Sequence, residues 1–234
     1  MVSRVLENEP IAKNVMRIRL TGDTGRCAPG RFVQLQVPGF YLRRPISLSD
    51  WDEGRYTLVY KVVGEGTEAM AAWQPGFETD AMIGLGNGYD LSAFGERPLL
   101  VGGGSGVPPL YALAKALAAQ GKKPVAALGF GAPDEVFMKR DFEALCETRV
   151  AVGGYVTQAL TGLQFDSVAA CGPEPMLRAV YRAADVPGQF SFEARMACGV
   201  GACMGCSCKT NFGMKRICAD GPVFQREAIL WTRG

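Results

Sequence analysis

The chain has 234 residues, a formal charge of +2, 30 Gly, 8 Cys and no His. Without imidazole there is no Ser-His-Asp or Cys-His machinery, no His-ligated zinc or haem, and no Rieske cluster, which needs two His ligands. The small charge excess, with no block of Lys or Arg, argues against nucleic acid or a membrane surface as a partner.

Residues 1–10 lack the apolar core of a signal peptide, and no apolar run approaches the ~18 residues that cross a bilayer. The expected compartment is the cytoplasm, where clustered thiols point to metal rather than disulfides. Period-two alternation predicts strands at residues 15–20, 31–37 and 56–63. The Gly, Pro and Asp punctuation between them points to an antiparallel barrel or sandwich. A helix is predicted over residues 67–73, ending before Pro75-Gly76.

Near residue 97 the pattern changes. Continuous apolar runs at residues 98–101, 124–130 and 167–172 read as buried parallel strands. They alternate with helical stretches at 110–117, 137–145 and 175–184, which argues an α/β unit with a parallel sheet. The expected organisation is a β-barrel over 1–96, an α/β domain over 97–187 and a small Cys-rich domain over 188–234.

Five of the eight Cys fall between residues 198 and 218. Cys198, Cys203 and Cys206 have the C-x4-C-x2-C spacing of plant-type [2Fe–2S] proteins, and Cys218 supplies a fourth thiolate further on. Glycines and the small Ala197 and Ala202 let the backbone approach a cluster closely. A four-thiolate zinc site usually pairs two C-x2-C units, and only one is present. Cys208 is surplus. It reads as a neighbour of the cluster, the alternative being that it replaces Cys218.

Other segments carry weaker signals. Gly102, Gly103, Gly104, Ser105 and Gly106 join a strand to a helix, as a phosphate-cradling loop does. Val107 occupies the last Gly position of G-x-G-x-x-G, and a tight structural turn is the competing reading. Cys171 and Gly172 end a later strand, where open α/β sheets bind ligands; Cys171 also reads as a buried small hydrophobe. Arg43, Arg44, Pro45, Ile46 and Ser47 suit a phosphate and a flavin ring, or a surface turn. Gly64, Gly66 and Thr67 suit a second phosphate, or a turn with a Thr N-cap.

In order, Arg-x-x-Ser, Gly-x-Gly-Thr, the Gly-rich loop and Cys-Gly-Pro resemble the ferredoxin-reductase flavoprotein superfamily. With the strings at residues 84–88, 193–206 and 215–224, the whole chain resembles the electron-transfer subunits of type B dihydroorotate dehydrogenases. That resemblance implies an FAD-binding barrel, an NAD-binding α/β domain and a C-terminal [2Fe–2S] domain, with Cys218 as fourth ligand. It implies FAD contacts from Arg44, Pro45, Ile46, Ser47, Val59, Tyr60, Lys61, Gly66 and Thr67. Residues 102–106 would face the NAD pyrophosphate, and Cys171 with Gly172 would lie near the nicotinamide. It further implies a partner, an FMN-containing catalytic subunit that oxidises dihydroorotate in pyrimidine biosynthesis, in a heterotetramer with two of each chain. Two departures stand out: a short loop between Cys206 and Cys218, and a compact stretch at residues 150–157.

The expected role is a relay in which the chain needs no general base of its own and carries no catalytic residue. The acidic loop at residues 131–135 lacks Arg, which leans to NAD over NADP. The alternatives are an NAD(P)H-ferredoxin or hydrogenase-type diaphorase subunit and, from another class, a non-enzymatic redox sensor or zinc-stabilised interaction module.

Overall fold

The computed structural model describes residues 1–231. The first six strands are β1 (Val2–Ala12), β2 (Val15–Thr21), β3 (Phe32–Leu35), β4 (Arg44–Asp52), β5 (Arg55–Lys61) and β6 (Glu78–Leu85). They close an antiparallel barrel in the order β1-β2-β5-β4-β3-β6. The alternation read in the sequence follows from this closure: Ile18 and Leu20 of β2 point into the barrel and are buried, as a strand with one covered face requires, while Val15, of opposite parity, is buried against the second unit. Asn14, in the left-handed region at φ 56°, makes the tight turn from β1 to β2.

Helix α1 (Glu65–Ala71) lies between β5 and β6 and starts two residues earlier than expected. Thr67 is therefore not the N-cap. It sits in the first turn, where its hydroxyl accepts from the N–H groups of Val63 (2.9 Å) and Gly64 (3.2 Å) and donates to Gly64 O.

The second unit holds β7 (Pro98–Gly103), α2 (Val107–Ala119), β8 (Val125–Phe130), α3 (Lys139–Glu143), β9 (Glu147–Val152), β10 (Ser167–Cys171), α4 (Glu174–Ala183) and β11 (Gly188–Ser191). Strands β7, β8, β10 and β11 are buried at every position, because a parallel sheet is covered on both faces. Helix α3 is shorter than the predicted 137–145. Met138 is left-handed at φ 56° and breaks the chain, which turns the Phe137 ring onto Phe130, 5.3 Å between centroids.

The C-terminal segment adds the hairpin β12 (Ser207–Thr210) and β13 (Gly213–Arg216), then β14 (Val223–Gln225). The hairpin fills the short loop between Cys206 and Cys218. The sheet order is β14-β11-β10-β7-β8-β9, with β14 antiparallel to β11. The sheet thus continues across the expected division at 187/188, since β11 and β14 both come from the last segment. Among the described residues no helix is long and apolar enough to cross a membrane.

Barrel and sheet meet through apolar packing, with Val15 and Val59 in one core cluster and Phe32 in the other, and through ion pairs. Lys115 of α2 pairs with Asp50 of β4 at 2.6 Å, and Lys61 of β5 with Glu135 at 2.7 Å.

Candidate functional site: two cavities and a thiol loop

The carboxyl ends of β7 and β10 lie side by side, with Gly102 opposite Cys171. A Cβ on Gly106 would stand 2.0 Å from Cys171 O and 2.5 Å from Gly172 N. Only glycine lets these two motifs touch, and the structural reading of Gly106 is therefore part of the site's construction. Gly104 differs: it is left-handed at φ 50° and open, with nothing within reach of a Cβ. Val107, at the position where G-x-G-x-x-G has its last Gly, is fully buried.

Beside this loop is a cavity of about 550 Å³. Gly103, Gly104, Ser105 and Pro175 line one side, Phe130 and Glu135 another, and Gly153, Tyr155 and Thr157 a third. The compact stretch at residues 150–157 thus supplies a wall of the cavity. Its Gly153-Gly154 pair before an aromatic was the signal that could have marked it. The acidic loop reaches back to the barrel. Asp134 is bound to Lys13 at 2.9 Å and Glu135 to Lys61, so both carboxylates already have partners.

A second cavity, about 400 Å³, opens on the barrel side. Arg44, Pro45, Ile46 and Ser47 line it, with Val59, Tyr60, Lys61 and Thr67, and Cys171 with Ser191 from the sheet. The Arg44 guanidinium lies on Gly66, where a Cβ would come within 2.2 Å of Nε, and over the Phe40 ring at 4.8 Å. A cation is therefore fixed at the start of α1. The Tyr60 hydroxyl donates to Asn8 Oδ1 at 3.2 Å, and burial pushes that phenol up to about 12. The two cavities share Val59, Tyr60, Lys61 and Ser105. They are thus neighbours across one thin wall. Phe32, Glu193 and Met196, which sequence reasoning did not single out, also line the barrel-side cavity.

Cys171 is buried, and burial raises its thiol far above the ordinary range. It stays a neutral thiol and can act as packing and contour, not as a nucleophile.

The four cluster candidates occupy one loop and its return. Cys203 N–H donates to Cys198 Sγ at 3.4 Å, and Cys218 N–H to Cys206 Sγ at 3.3 Å. Backbone N–H groups, chiefly those of Cys203 and Val200, hold the Cys198 thiol down to about 6. Burial and a bond with Cys206 push Cys218 up to about 12. Gly199 and Gly201 are left-handed, at φ 69° and 85°, and Met204 is too, at 59°. Arg216 ties the loop to its return by donating to Gly201 O (3.1 Å) and to Asp220 Oδ2 (2.9 Å). All eight Cys are free, and no three acidic or thiol side chains among the described residues already stand as a metal-binding group. The thiols instead meet in two pairs. Cys208 lies on β12 opposite Lys215 and packs against the apolar cluster that includes Cys206 and Cys218.

Curated relatives match almost the whole chain. The dihydroorotate dehydrogenase B (NAD(+)) electron transfer subunit of Fusobacterium nucleatum is 43% identical, over 94% of each chain. That of Bacillus caldolyticus is 45% identical, over 86% of each. The chain belongs to the family of dihydroorotate dehydrogenase B electron transfer subunits. The model of the iron-sulfur cluster binding domain of dihydroorotate dehydrogenase B matches residues 193–230. Among solved structures, a chain of the NADH-dependent reduced ferredoxin-NADP oxidoreductase superposes with a TM-score of 0.90 at 29% identity, covering 99% of this chain and 90% of that one. Phthalate dioxygenase reductase shares the fold, with a TM-score of 0.64 at 20% identity, over 78% of this chain and 63% of that one.

Proposed function

We propose that this chain is the electron transfer subunit of an NAD⁺-linked dihydroorotate dehydrogenase, passing electrons from an FMN-containing catalytic subunit through [2Fe–2S] and FAD to NAD⁺. The observation that carries the reading is the shared wall. One cavity at the sheet's carboxyl ends and one on the barrel meet at Val59, Tyr60, Lys61 and Ser105, and the thiol loop follows directly from residues lining the second. When bound, the cluster supplies one-electron steps and FAD the junction between these and hydride transfer.

The residues fit these groups. Arg44, with Gly66 and Thr67 at the start of α1, would hold the FAD pyrophosphate, and Pro45, Ile46, Ser47, Val59, Tyr60 and Lys61 its ring system. Gly102, Gly103, Gly104, Ser105 and Gly106 would face NAD phosphates, with the open Gly104 giving the closest backbone approach. Cys171 and Gly172 would border the nicotinamide. Cys198, Cys203, Cys206 and Cys218 would hold the cluster. N–H groups aimed at sulfur match what a thiolate cage needs.

The division that goes with this reading is 1–96 for FAD, 97–187 for NAD and 188–234 for the cluster, with β11 and β14 completing the middle sheet. Val200, Met204, Phe212 and Met214 are large, apolar and at least half exposed. They stand on the cluster loop and the adjoining hairpin, where a partner surface would cover them. Eight free thiols suit a reducing compartment, and the cytoplasm is the location we assign.

The test is co-purification with the FMN subunit and an assay of NAD⁺-dependent dihydroorotate oxidation with and without it. Activity only in the pair is expected. The likeness to the reduced ferredoxin-NADP oxidoreductase chain favours a diaphorase subunit as second reading. A partner without FMN, and no dihydroorotate turnover, would decide for that. A colourless chain holding zinc would decide for an interaction module.

A further inference from the structure

Gln34 is fully buried in β3, whose four residues are all buried. Its neighbours across the ladder are Pro45 on β4 and Met82 on β6. Among the described residues, neither Nε2 nor Oε1 has a hydrogen-bond partner. A carboxamide in that state has lost its water and gained nothing in exchange, which is rare in a well-made interior. An apolar side chain would fill the position without that loss.

The carboxamide points at the thiol loop. A Cβ on Gly199 would stand 2.3 Å from Gln34 Nε2 and 2.6 Å from Cδ. The amide therefore rests on the α-carbon of the residue that follows Cys198. Gly199 is itself buried, and its left-handed φ of 69° turns the loop toward the barrel. Phe32, one strand period earlier on the same face of β3, lines the barrel-side cavity and belongs to the apolar cluster that includes Cys206 and Cys218. One face of β3 thus runs from the proposed flavin cavity to the proposed cluster ligands, and Gln34 is the polar group on it.

We infer that Gln34 is a positioning residue for the iron-sulfur cluster: its Nε2–H donates to a cluster sulfur on the Cys198 side of the loop. The inference rests on the reading of the four thiols as cluster ligands. A donor to sulfur stabilises the added electron, so Gln34 raises the cluster potential from within the barrel. The hydrogen bond also accounts for a buried polar group that otherwise has no function in the fold.

The test uses the FAD- and cluster-loaded chain in complex with the FMN subunit. Gln34→Met keeps the length and apolar volume and removes the donor. Full iron and sulfide content is expected, with the cluster midpoint shifted to more negative potential, altered EPR g-values, and an unmoved FAD midpoint. In the wild-type chain carrying ¹⁵N in Gln side-chain amides, pulsed EPR of the reduced cluster is expected to show a ¹⁵N coupling that Gln34→Met abolishes. An iron-loaded Gln34→Met with unchanged potential and spectrum would overturn the role of Gln34 and leave the ligand assignment intact. If the variant fails to fold, absence of the ¹⁵N coupling in the wild type overturns it equally. A wild-type chain without iron and sulfide would instead overturn the ligand reading, and this inference with it.

Discussion

The parallel sheet and the thiol loop are stabilised by different physics. Strands β7, β8 and β10 are buried at every residue, between two apolar layers. The loop at 198–206 holds three left-handed residues, exposes Cys203, Val200 and Met204, and is tied down by a few polar contacts around Arg216 and Asp220. The sheet is rigid because water has been excluded from it. The loop is arranged for ligands to complete it, and its order should depend on metal in a way the sheet's does not.

The largest expected effect separates the two regions cleanly. Cys218→Ser should abolish the iron content and the cluster's share of the visible absorbance, leaving a flavin spectrum, while the sheet still melts cooperatively. Cys208→Ser should retain both. A reversed result would transfer the fourth ligand to Cys208. In the sheet, Phe190→Ala empties a fully buried ring site and should cost about 3–5 kcal/mol in denaturant titration, with normal iron per folded chain.

Gly106→Val probes the carboxyl end of the sheet, where the loops after β7 and β10 touch. Its side chain would collide with Cys171 O, so a loss of about 1–3 kcal/mol in stability is expected, with NADH binding weakened more than FAD binding. Calorimetry with each ligand separates the two. A smaller effect is expected of Asp220→Asn. The Arg216 guanidinium holds the Asp220 carboxyl down to about 2, so the clamp is fully present above the ordinary carboxylate range and is lost as pH falls toward 2. At neutral pH the variant should release iron to a chelator faster with little change in melting.

The smallest effect is a titration. In the iron-free chain, Cys198 should react with iodoacetamide at a rate rising through about pH 6, because N–H groups favour its thiolate. Cys27, which burial pushes up to about 11, should stay silent over the same range. Peptide mass spectrometry reads both.

The parts of this comparison were unequally legible in the sequence. The thiol spacing was legible because ligation demands fixed intervals, and the parallel strands because burial on both faces leaves unbroken apolar runs. Strands β11 and β14 were not, since four and three residues among Gly and Pro carry no period. Helix α3 was overread because nothing in Met138 announces a left-handed residue. The pairing of the acidic loop's charges was not legible, because Lys13 and Lys61 lie far away in sequence. Gln34 was invisible for a related reason. In an alternating strand a Gln marks the solvent side, yet here the C-terminal segment covers that side of the barrel.

In the proposed function, two cavities and one thiol loop form a single electron path within this chain. Anaerobic mixing of the FAD- and cluster-loaded chain with NADH, followed by stopped-flow absorbance and freeze-quench EPR, tests it most directly. Flavin bleaching is expected first, followed by a reduced [2Fe–2S] signal at a rate independent of protein concentration. Flavin bleaching with a cluster that stays oxidised, or is reduced only in proportion to protein concentration, would contradict it.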